Sequence, residues 1–143
     1  MASVVTNRGK LHILTMAFRN TNPPDGSAFK VTLLNNSVSP DEDTNTQNDV
    51  SGGVIGTAAA VTRDASGFNV ATEDDSNDKA LIQVKDVDFA GALTNARYAI
   101  LTDANSTAND RVVYAVWDFG ENKSVSAGQT LTLQDLEINL NDA

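Results

Sequence analysis

The sequence predicts a mainly β fold: an antiparallel β-sandwich or jelly-roll-like domain with one short N-terminal α-helix, residues 1–143 forming a single unit. Three observations lead there. Short runs alternate apolar with polar residues, as Phe29, Val31 and Leu33 do around Lys30 and Thr32, and a period of two marks a strand with one buried face. Two β-rich runs, 98–101 and 112–119, flank a loop at 102–111 made of turn and surface residues, the pattern of a long hairpin. Two other runs change phase partway along, which bends strands toward the closed shape of a sandwich.

In chain order, residues 1–6 come first: uncharged, rich in β-branched side chains, and suited to pairing with an exposed strand edge on a neighbouring molecule. The extended ends 1–6 and 139–143 are the candidate arms, with Val4 and Val5 as the candidate contact residues. Leu11, Leu14 and Phe18 then recur at i, i+3 and i+7 while His12, Thr15 and Arg19 form an opposing set, which predicts an amphipathic helix capped near Thr6 or Asn7. The segment 20–26, with Pro23-Pro24-Asp25-Gly26, breaks it.

From Phe29 onward the pattern is β, with later runs at 57–63, 68–72, 80–89, 96–102, 112–119 and 130–140. Ile82 and Val84 share one parity and Val87 and Phe89 the other; Leu131 and Leu133 likewise give way to Leu136, Ile138 and Leu140. A strand keeps such a set on one side only by adding a residue, so bulges are expected near Lys85-Asp86 and Gln134-Asp135. In 112–119, Trp117 and Val113 are assigned to the core face. Val112, Tyr114 and Val116 are apolar too, which implies a strand covered on both sides. Between these runs, 37–56 reads as a long polar loop containing Asp41-Glu42-Asp43-Thr44-Asn45, Asp49 and Gly52-Gly53. Its length suggests either an arm lying on a neighbour or a mobile surface loop.

Composition narrows the function. A chain of 143 residues buries a real core without covalent staples, and the lack of cysteine fits assembly in a reducing cytoplasm. The N-terminus lacks the pattern of a signal peptide, and no apolar run approaches the ~20 residues of a membrane span. With 19 acids against 10 bases the net charge is −9 and the pI near 4.3; the bases read as scattered, so neither a nucleic acid nor a membrane is expected as partner.

Catalysis is not expected, because a single histidine, His12, and no thiol cannot supply a nucleophile, base and orienting group. Asp118-Phe119-Gly120 matches the magnesium-binding triplet of protein kinases, yet the glycine-rich loop and His-Arg-Asp segment are missing, and a turn explains it. Gly52, Gly53 and Gly56 have neither the lysine nor the spacing of a phosphate loop. Asp41, Asp43 and Asn45 open like a calcium loop, but Thr46 stands where glycine belongs and Gly52 where a bidentate Glu belongs. Glu73, Asp74, Asp75 and Asp78 form a second acidic cluster. No metal and no cofactor is assigned; calcium in the acidic loops survives only as an alternative.

Four stretches carry a resemblance: Asn7-Arg8-Gly9-Lys10; Lys30-Val31-Thr32-Leu33-Leu34; Ala96-Arg97-Tyr98-Ala99-Ile100-Leu101; and Tyr114-Ala115-Val116-Trp117-Asp118-Phe119-Gly120-Glu121-Asn122-Lys123-Ser124. In order and rough spacing the chain resembles small virion structural proteins of tailed phages and prophages, often described as head decoration or minor virion proteins. The segment 37–77 has no counterpart. The resemblance implies a capsid decoration or cement protein: non-enzymatic, made in the host cytoplasm, carried on the capsid surface, bound to the major capsid protein and oligomeric on the particle. Val4 and Val5 become candidate capsid contacts. The alternatives are a tail or head-fibre component, or a non-viral β-sandwich binding module.

Overall fold

In the computed structural model, which describes residues 3–19 and 28–141, the alternating runs become an antiparallel β-sandwich-like fold. The helix breaker at 20–26 lies outside the described residues. One layer is a five-stranded sheet built from β1 (Val4–Val5), β2 (Ala28–Asn35), β3 (Val54–Thr62), β7 (Leu93–Asp103) and β8 (Val113–Val125), in the order β1-β8-β7-β2-β3. β7 and β8 are the expected long hairpin, and its loop carries a 3₁₀ turn, Ala108–Asp110.

The second layer consists of β4 (Thr72–Asp74), β5 (Lys79–Val84), β6 (Val87–Ala90), β9 (Thr130–Leu133) and β10 (Leu136–Asn141). β10-β5-β4 form one small sheet and β6-β9 another. The run expected at 68–72 is mostly irregular: Phe68 makes an isolated bridge to Val84 and β4 starts only at Thr72.

The phase changes are real, but their form differs from a bulge. Leu136 faces Val84 and Leu133 faces Val87, so Lys85-Asp86 in one strand stands opposite Gln134-Asp135 in the other. Both strands break at the same place and the register continues unshifted. The two parity changes cancel, so neither strand needs an extra residue against its partner. Gln134 donates to Asp86 and Gln83 to Asp135, each at 3.4 Å, across the break, and Asp135 takes a left-handed conformation with φ 56°.

The main core lies between the layers. Val31, Leu33, Leu101 and Trp117 of the large sheet meet Val84, Phe89 and Leu136 of the second layer, and Trp117 Nε1 donates to the Glu137 carbonyl at 2.8 Å, tying β8 to β10. The opposite face of the large sheet is covered as well. There Leu34, Ile100, Val113 and Val116 pack with Val50 from a 3₁₀ segment, Gln47–Gly53, which is why β8 is apolar at successive positions. One assignment needs correcting. Leu101 faces Ala115 while Thr102 faces Val113, so Tyr114 is an extra residue in β8, and the side chains exchange faces at this bulge. Trp117 therefore belongs to the main core, with Tyr114 and Ala115, whereas Val113 joins Val116 in the second cluster.

The polar segment 37–56 is what closes that second face. Thr46 bridges to Val112, Asn45 O accepts from Val113 N at 3.0 Å, and Gln47 N donates to Arg111 O at 2.9 Å. Asp49 Oδ2 accepts from the backbone N–H groups of Asn45 and Thr46 at 2.9 and 3.1 Å. Thr44, Gln47 and Val50 are buried. In the structure 37–53 is a docked flap on its own domain and 54–56 begin β3, and neither the arm nor the mobile loop expected from the length describes it.

Candidate functional site

The N-terminal helix, α1 (Asn7–Arg19), is capped where the sequence indicates: Gly9 N donates to Thr6 Oγ1 at 2.9 Å. Thr6 is fully buried, its N–H donates to Tyr114 O at 3.0 Å, and its hydroxyl donates to Val113 O. This pins the start of α1 to β8. The face that docks is the reverse of the one expected. Gly9, His12, Ile13 and Met16 turn toward the protein, whereas Leu11 and Leu14 are each 56% exposed and Phe18 is 81% exposed.

The cause is Gly9. A Cβ there would lie 2.6 Å from Tyr114 O and 2.8 Å from Tyr114 Cα, so only a glycine lets the helix approach β8 this closely, and that approach fixes which stripe is inside. His12, placed on the polar face by the sequence pattern, instead meets the Tyr114 ring edge-on with centroids 5.9 Å apart. The result is a helix apolar on two opposite stripes, one docked and one facing solvent. α1 also carries Arg8, Lys10 and Arg19 and no acidic residue, in a chain of net charge −9. The bases are thus less scattered than the sequence suggests.

Val4 and Val5 form the edge strand of the chain's own sheet, pairing with Val116 and Ala115. Val5 is buried, while Val4 is 42% exposed. The N-terminal candidate arm therefore already spends one side of its backbone at home, on β8; residues 1–2 lie outside the described residues. At the other end, 139–141 belong to β10 and pair with β5 rather than extending free, and 142–143 lie outside the described residues.

Next to α1 the two layers splay apart. They leave a cleft of about 340 Å³ whose walls are almost wholly apolar, lined among others by Ile13 and Met16 of α1 and by Ala80, Ile82 and Leu140 of β5 and β10. Phe29 contributes an aromatic wall, edge-on to Phe68 at 5.8 Å and to Tyr114 at 5.5 Å. Two polar residues belong to this lining, Tyr114 and Arg63. The Tyr114 hydroxyl is buried and has no hydrogen-bond partner among the described residues. Burial, reinforced by the nearby Asp103 charge and opposed by Arg63, pushes its pKa up to about 12, so it is a protonated phenol at neutral pH. Arg63 is exposed and makes no ion pair among the described residues.

The acidic loops are occupied with local work. Asp41 Oδ1 accepts from Asp43 N at 3.0 Å, and Asp43 Oδ1 accepts from Asn7 Nδ2 at 2.9 Å, joining the flap to the start of α1. Asp74 Oδ2 accepts from Asn77 Nδ2 at 2.8 Å, which lowers the Asp74 pKa. Among the described residues no three His, Asp or Glu side chains gather around one point. Asp118 is held by Arg97 at 2.7 Å and accepts from Gly120 N at 2.8 Å, both of which lower its pKa. Gly120, with φ 77°, is a kink inside β8, which runs on to Val125, rather than its end.

Sequence reasoning found the helix, its cap and the hairpin. It missed the cleft, whose lining comes from segments far apart in the chain, and it missed the orientation of α1, whose signal was the glycine in the first turn. The class of molecule defined here is a mainly β, antiparallel sandwich-like domain bearing one basic helix with an uncovered apolar stripe. Compared with family models, curated proteins and solved structures, the chain matches none.

Proposed function

We propose that this chain is a virion structural protein, a decoration or cement protein that binds the major capsid protein of a tailed phage and stabilises the head. The observation that carries the reading is the way its four resembling stretches come together. Asn7–Lys10 sits on Tyr114 through Gly9, 30–34 pairs with 96–101, and 96–101 pairs with 114–124. Stretches dispersed along the chain thus make one connected frame, as a resemblance resting on a shared fold requires.

An adhesive mechanism fits the surface. The stripe Leu11, Leu14 and Phe18, flanked by Arg8, Lys10 and Arg19, gains most by burial against an apolar patch with acidic surroundings on a shell subunit. Val4, exposed on the edge strand of the same sheet, adds a backbone edge for pairing. Copies straddling the seams between subunits would raise the cost of separating them. The net negative charge suits an outer position, away from packaged DNA.

The test is a binding assay on purified particles that lack this protein, with heads and tails offered separately. Saturable occupancy of heads, with a higher temperature of DNA release, is the expected result. Binding to tails alone supports the tail or fibre alternative, and binding to neither removes the virion reading.

A further inference from the structure

We infer that the cleft between α1 and the β5–β10 ribbon is a binding site for a small amphipathic anion, a medium-chain aliphatic carboxylate, with its hydrocarbon tail between the layers and its head group at Arg63. This stands apart from the adhesive surface, which lies on the opposite stripe of α1.

Size and lining set the tail. About 340 Å³ falls at the lower end of the range for small-molecule sites, roughly 300–1,000 Å³. A sandwich core normally fills its interior to crystalline density, with few voids larger than a water molecule. Here Ile13, Met16, Ile82 and Leu140 converge on space that no described side chain fills, and an apolar guest would restore the contacts the walls forgo. A slender aliphatic chain suits a slot between two sheets better than a fused ring system does.

Charge sets the head. Among the described residues, Arg63 is the one charged residue in the lining. It is unpaired among the described residues, and it also borders a second hollow of about 350 Å³, with Asp64 and Asn69, where a head group can stay hydrated. A guanidinium is the side chain best shaped to hold a carboxylate through two parallel hydrogen bonds. The other polar group of the lining is the Tyr114 hydroxyl, a donor with no hydrogen-bond partner among the described residues. Arg63, exposed at the protein surface, is where the head belongs.

The test uses the intact chain and three probes of equal tail: dodecanoate, dodecanol and dodecyltrimethylammonium, each titrated calorimetrically below its aggregation limit. Dodecanoate is expected to bind at one site per chain, and the cation at least tenfold more weakly. Arg63→Gln should weaken dodecanoate about tenfold and leave dodecanol unchanged. Ala80→Phe, placing an aromatic ring on a strand position that accepts one, should abolish binding of both. Methyl resonances of Ile13, Ile82 and Leu140 should shift on titration while those of Leu34 and Val116, on the far face, stay fixed. The inference is overturned if dodecanoate gives no saturable one-to-one binding, if the cation binds as well as the anion, or if Arg63→Gln binds dodecanoate as tightly as the parent. Should Ala80→Phe fail to fold, the Arg63 variant and the methyl map still decide.

Discussion

Tyr114 and Trp117 sit three residues apart on β8 and have opposite surroundings. Trp117 is fully enclosed at the junction of the two layers, and its one polar atom is satisfied by the Glu137 carbonyl. Tyr114 is also buried, yet its hydroxyl has no partner among the described residues and it borders a cleft that α1 helps to line. One aromatic closes the sandwich and the other stands where it opens. The difference teaches how the molecule is divided: side chains are enclosed and satisfied at the Trp117 end, and the apolar cleft and the exposed apolar stripe gather around α1 at the Tyr114 end.

Four changes test that division. Trp117→Ala should have the largest effect, about 3–5 kcal/mol of lost stability in denaturant titration, since it empties a fully buried site and orphans the Glu137 carbonyl. A loss under about 1 kcal/mol would erase the contrast between the two ends. Gly9→Ala comes next, about 1–3 kcal/mol by overpacking against β8. Were it instead stabilising, as alanine usually is within a helix, the close approach of α1 would be wrong.

Tyr114→Phe should be near neutral at pH 7, because it removes a buried hydroxyl that has no hydrogen-bond partner among the described residues. Its signature lies at high pH. The folded phenol ionises near 12 against 10.0 for an ordinary tyrosine, so the folded state holds a proton that the unfolded chain gives up. Stability is complete below pH 10 and falls as pH rises through 12. That alkaline loss, followed by thermal unfolding across the window, should shrink in the Phe variant. The smallest effect on stability belongs to Phe18→Asp, which alters a side chain 81% exposed and should leave the unfolding midpoint within experimental scatter.

Much of the fold was legible because strand alternation and turn chemistry are local. The hairpin of β7 and β8, the Thr6 cap, the double burial of β8 and the break points at 85–86 and 134–135 were all accessible from residue order. What escaped depended on distant partners. The cancellation of two phase changes requires knowing that the strands face each other, and the exchange of faces at Tyr114 requires the register of β7. The orientation of α1 was misread because Leu11, Leu14 and Phe18 make the larger apolar stripe, while packing is decided by Gly9, whose small size has no weight in a hydrophobicity pattern. The flap at 37–53 misled for a related reason. Its composition is that of a loop, and a few buried residues, Thr44, Gln47 and Val50, hold it down. The cleft had no sequence signal, since its walls look like ordinary core residues.

The claim that the exposed stripe of α1 is an adhesive surface is tested most directly with the double variant Leu14→Asp, Phe18→Asp on purified heads that lack this protein. Occupancy after washing is measured beside the thermal unfolding of the free chain. The account predicts unchanged unfolding and a loss of at least tenfold in head binding. Wild-type occupancy by the variant would contradict it, and the stripe would then be surface without a partner on the capsid.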